Sequence, residues 1–138
     1  MSKIIQTDGV GKERNRLLKA IVISIRELMK QTVVDSNTRD LAAFISNALL
    51  AVHDTVERTV APWEKRDYWV KADKFRMEWA WTKVVGEEML AATKLEDWGN
   101  VAILAAQVGQ RLGGIQVSER HRMGKPWVGA WDMMMRRD

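Results

Sequence analysis

Four carboxylates stand in two close pairs around Pro62: Asp54 with Glu57, and Glu64 with Asp67. On a helix, residues three apart share a face. Two such pairs brought together in a hairpin could hold Mg²⁺, which prefers carboxylate oxygens, for chemistry on a phosphate. A second group is the short run Arg120, His121, Arg122 and Lys125, next to Gly124 and Pro126. Arginine there could make forked hydrogen bonds to a phosphate or carboxylate. A third is tryptophan, seven residues at 63, 69, 79, 81, 98, 127 and 131. Indole joins a large apolar area to one N–H donor, which suits cores and docking surfaces alike.

Other chemistry is narrower. The D-x-x-E and E-x-x-D pairs resemble the paired carboxylate motifs of all-α nucleotide pyrophosphatases, but this chain lacks their E-x-x-E. Asp54 and Glu57 also fall roughly opposite the apolar stripe of their helix, as solvated surface residues do. The two histidines, His53 and His121, follow Leu50 and Ser118 at the third position before them, so no Glu-x-x-His metal motif exists. Gly9-Val-Gly11-Lys12 continues with Glu13, where a phosphate loop needs Ser or Thr. Ala105, Gly109 and Ile115 have the spacing of a helix-turn-helix, but its second helix would have to contain Gly113 and Gly114. Zero cysteines removes disulfides, thiolate metal sites and cysteine nucleophiles together. The reading is a non-enzymatic protein with no metal and no cofactor.

The elements that carry these residues are helical. From Lys12 to about Gln31, Leu17, Leu18, Ile21, Val22, Ile25, Leu28 and Met29 repeat at intervals of three and four, with Arg16, Lys19 and Arg26 on the wet side. After candidate N-caps at Asp35 to Thr38, a second helix aligns Leu41, Phe44, Ile45, Ala48, Leu49, Val52 and Val56. Pro62 allows two paths. The helix ends near Val60 and Pro62 opens the next one, or a single kinked helix continues. The unbroken phase of the stripe, and the lack of Gly or Asn at the junction, favour the kink. The length of a helix over 36–93, about 87 Å at 1.5 Å per residue, favours the break, which is the preferred path.

The third helix has two apolar stripes: Trp63, Val70, Met77, Trp81 and Val84 continuing the core, and Tyr68, Ala72, Phe75, Trp79, Gly86 and Leu90 on the other side. Two apolar faces need two covers. A fourth helix spans about Glu96 to Leu112 and ends at Gly113-Gly114. The remainder reads as a mostly irregular tail rich in Trp and Met.

The 138 residues fit one domain. The predicted architecture is all-α: a flexible lead over 1–11, a bundle of about four helices over 12–113, and a tail over 114–138 packed on or near helix 3. Of the 22 basic and 18 acidic residues, the first thirty positions hold seven and three, and positions 101–138 hold six and three. Basic ends thus flank a slightly acidic centre. No segment is long and apolar enough for a membrane span, and the start lacks a signal-peptide core, which points to a cytoplasmic protein.

The expected function is that of an interaction or scaffold protein, a homo-oligomer or the accessory subunit of a protein partner. Its docking residues are expected to be Trp79, Trp81, Val84, Trp127 and Trp131. The alternative is binding of nucleic acid or another anion by Arg120, His121, Arg122 and Lys125 with the first helix, and a Mg²⁺-dependent phosphohydrolase ranks third.

Overall fold

The three-and-four periodicity is realised as five helices: α1 (Ser2–Met29), α2 (Ser36–Lys65), α3 (Trp69–Lys94), α4 (Trp98–Arg111) and α5 (Ala130–Arg136). This is a computed structural model; it describes residues 2–137, with side chains from Gly9 onward. The architecture is an all-α bundle, with one short helix more than the four expected.

α1 starts at Ser2, not near Lys12, so Gly9 and Gly11 lie inside it. Each glycine disfavours helix by about 1 kcal/mol relative to alanine. Extending a helix already nucleated costs far less than starting one, and the packed stretch beyond Lys12 provides that nucleus. α2 opens on a capping box: Thr38 N–H donates to Asp35 Oδ1 at 3.1 Å, and Thr38 Oγ1 accepts from Asp35 N–H at 3.3 Å.

α2 neither stops at Val60 nor runs on to residue 93. It passes through Pro62 and ends one turn later. The end is a Schellman motif, with Tyr68 N–H donating to the Trp63 carbonyl at 2.9 Å and Asp67 N–H to Glu64 at 3.0 Å. Asp67 takes the left-handed position, φ 65°, that glycine usually fills. α3 ends the same way, with Glu96 at φ 54° and Asp97 N–H donating to the Ala92 carbonyl at 2.9 Å. The turn is therefore present without the glycine or asparagine that would advertise it.

α2 is the centre of the molecule, packed by α1, α3 and α5. Its core-facing side is wide: Leu41, Ala42, Ala43, Ile45, Leu49, Val52 and Val60 are inaccessible to solvent. Ser46 Oγ and Thr55 Oγ1, also buried, satisfy themselves on the Ala42 and Val52 carbonyls. Leu18, Ile21 and Ile25 of α1, Met89 and Ala92 of α3, and Val101, Leu104, Ala105 and Val108 of α4 complete the main core.

α3 turns Val70, Met77 and Val84 of the stripe expected to continue the core outward, while Trp81 of the same stripe still packs against it. Ala72, Gly86 and Met89 face inward and are buried. Small residues decide this. A Cβ at Gly86 would come within 3.0 Å of Leu50 Cδ2 and 3.2 Å of Leu49 Cβ, so only the glycine face lets α3 approach α2 this closely.

The tail docks on α1 and α2, not on α3. Trp127 is buried against Ile23 and Leu41, and its indole N–H donates to Asn37 Oδ1 at 2.8 Å. Asp40 accepts from Gly129 N–H (3.1 Å) and Trp131 N–H (3.0 Å), so a carboxylate of α2 caps the start of α5. The tail found its cover where α2 offered polar groups to match its backbone donors.

Candidate functional site

The outward row of α3 exposes large apolar side chains at regular spacing. Val70, Met77 and Val84 are 69%, 73% and 56% exposed and recur at intervals of seven. Exposed Ala91 continues the row, and exposed Tyr68 and Trp69 stand at the start of the helix. Single exposed apolar side chains are ordinary. Spacing of seven sets the three on one line of the helix, as one of the two positions of a helix–helix seam would be.

The row is held firmly by the inner side of α3. Phase is set by Gly86, and orientation by Arg76, whose guanidinium reaches back to α2. Its Nε donates to Glu57 Oε2 at 3.1 Å and its Nη2 to Glu64 Oε1 at 3.0 Å, with Asp73 on its own helix at 4.0 Å. The hydrogen bond from Arg76 holds the Glu64 carboxyl below the ordinary glutamate range, and the two glutamates push Arg76 higher still. Phase is also fixed by rings: Trp63 meets Phe75 edge-on at 5.4 Å, and Phe75 lies 6.5 Å from Trp79. Arg14 of α1 stacks over Phe75 at 5.0 Å while donating to Thr59 Oγ1 at 3.0 Å. Partial burial lowers the Arg14 pKa.

These contacts also engage the carboxylates read as a candidate Mg²⁺ site. Glu57 and Glu64 converge on a guanidinium, and Asp54 pairs with Arg58 at 2.9 Å. Arg58 in turn binds Glu13 of α1, lowering that carboxyl as well. Asp67 stands in the turn with its backbone at φ 65°. Among the described residues, no cluster of three His, Cys, Asp or Glu side chains is placed to hold a metal. Two open grooves beside α1 and α4, about 240 and 200 Å³, have no carboxylate or histidine among their lining residues.

Of the five docking residues expected, the structure leaves Val84 fully outward. Trp79 faces the core, and its Nε1–H is buried without a hydrogen-bond partner among the described residues. Trp81 is partly buried, with the Arg111 guanidinium 5.5 Å above its ring. Trp127 is enclosed within the molecule, and half-buried Trp131 is tied by its backbone to Asp40. The row therefore consists of Val70, Met77 and Val84, not of tryptophans. The sequence places Val70 and Met77 with the core because their stripe continues that of α2 in phase. The turn at Asp67 breaks that continuity.

The basic run is placed on the surface: Arg120, Arg122 and Lys125 are exposed and His121 is half-buried, its Nδ1 accepting from Met123 N–H at 3.2 Å. The helix-turn-helix spacing has no structural counterpart, since α4 continues through Gly109 to Arg111. No helix among the described residues is long and apolar enough to cross a membrane. Compared with protein-family models, curated proteins and solved structures, the chain matches none.

Proposed function

We propose that this chain is a non-enzymatic helical interaction protein that assembles through the outer face of α3, in the first instance with a second copy of itself. The observation that carries the reading is the heptad row Val70, Met77 and Val84, each more than half exposed on a helix whose other face is already packed. Burying such a row against a matching helix removes apolar surface from water at about 25 cal/mol per Å². Charges beside it suit an antiparallel pair. In the first half of α3 Asp73, Lys74 and Glu78 are exposed, and in the second half Lys83, Glu87 and Glu88, while Lys71 turns back over the Trp63 ring. A two-fold axis near Ala80–Trp81 sets Met77 opposite Val84 and Lys74 opposite Glu87. Asp73 is drawn instead toward Arg76. Isologous contacts of this kind close at two copies.

Light scattering over a concentration series tests the reading. A mass rising above the 15.8 kDa of one chain toward twice that value is the expected result. A protein that stays at one chain's mass at millimolar concentration overturns self-association. The role of accessory subunit would then require a different protein seated on the same row, blocked by Met77→Glu.

A further inference from the structure

At about 100° per residue, Lys12, Arg16, Lys19, Ile23, Arg26 and Lys30 fall within about 40° of one line along α1. Glu13 and Glu27, the acidic residues of that stretch, fall outside the band. Ile23, the one apolar member, is buried beneath Trp127. Arg26 donates from Nη2 to the Val117 carbonyl at 3.0 Å. The tail is therefore fastened to this face of α1 at two points, Val117 and Trp127, and the loop between them carries Arg120, Arg122 and Lys125. Lys19 stands one turn, about 6 Å, before Ile23 along the axis, and Lys12 about 16 Å before it.

Both basic ends of the sequence thus carry cations on the side of the bundle where the tail is fastened. Lys12, Arg16, Lys19, Arg120, Arg122 and Lys125 are all exposed, and none is engaged in an ion pair among the described residues. Glu119 is the single carboxylate of the loop. These six cations outnumber the carboxylates near them, Glu119 in the loop and Glu13 and Glu27 at the edge of the helical band, in a molecule whose net charge is only +4.

We propose that this face binds the phosphodiester backbone of nucleic acid, without sequence preference. A row of point charges over some 16 Å matches a regularly charged polymer. A membrane surface fits less well, because interfacial helices insert an apolar face and that of α1 is committed to the core. Base readout has no instrument here either: Trp127, the aromatic of the loop, is buried and cannot stack on a base. The proposal stands apart from assembly through α3, which uses other residues.

Fluorescence anisotropy with a labelled mixed-sequence oligonucleotide of about 20 nucleotides, single-stranded and as duplex, tests it across about 50 to 200 mM salt. Each phosphate contact contributes about 0.7 to 0.9 to the salt slope, so a three-cation deletion should flatten the slope by two or more. Two triple variants, Lys12→Ala/Arg16→Ala/Lys19→Ala and Arg120→Ala/Arg122→Ala/Lys125→Ala, should each weaken binding about tenfold or more. The same loss of charge elsewhere, in Lys65→Ala/Arg66→Ala/Lys83→Ala, should leave affinity within about twofold. Melting curves of all three confirm folding, which exposed positions do not threaten. Absence of binding at the lowest salt overturns the proposal. So does an equal loss in the third variant, which would make net charge sufficient. Flotation with phosphatidylserine vesicles, unaccompanied by oligonucleotide binding, assigns the face to a membrane and overturns it as well.

Discussion

Two positions show how single residues set this fold. Asp67 occupies left-handed backbone at φ 65°, where a Cβ is unfavourable. Asp67→Gly removes that strain but adds freedom to the unfolded chain, a partial offset. The expected net effect is a stabilisation of about 0.5 kcal/mol, read as a higher urea midpoint with unchanged slope. Gly86 is the converse, since its missing Cβ is what admits α3 to α2. Gly86→Leu should destabilise by about 1–3 kcal/mol through overpacking, despite leucine's better helix propensity. A midpoint that does not fall would mean that α3 packs in another phase. Neither role is visible in the sequence. Glycine inside a helix reads as a weakness, and aspartate after a lysine-arginine pair reads as surface.

At the scale of elements, the α2–α3 hairpin is tied by Arg76 between Glu57 and Glu64. Because the folded Glu64 carboxyl sits below its unfolded value, its contribution is present above the ordinary glutamate range and is lost as pH falls through the lowered folded value. Melting temperatures taken from neutral to acid pH should therefore converge for the wild type and Glu64→Gln. A constant gap would deny the pairing. The tail makes a second test. Asp40→Ala removes the acceptor of the Gly129 and Trp131 amides, and those amides should exchange about tenfold faster or more, the scale of a lost charge-assisted hydrogen bond. Element types and most of the α1, α2 and α4 core stripes were legible from periodicity, because burial on one side leaves a 3.6-residue record. The partner of each face was not. Arg26 and Val117 are 91 residues apart, and only Ile23, an apolar residue among the cations of α1, hinted that something covers that side.

For the whole molecule, α2 supplies the central packing surface, and α3 then holds one packed face and one open one. The sequence declared the two faces of α3 but placed Val70, Met77 and Val84 on the inner one, because the stripe running in phase from α2 looked like the core. The tryptophans misled for a related reason: indole area suits interior and interface equally, and here Trp127 was needed to fasten the tail. The account turns on the open face of α3 being a seam between helices. Sedimentation velocity of the wild type beside Met77→Glu/Val84→Glu, at matched concentrations, probes it most directly. The account predicts a concentration-dependent dimer for the wild type and a monomer with an unchanged melting temperature for the double variant. A wild type that sediments as a monomer throughout, or a double variant that dimerises as well as the parent, contradicts it.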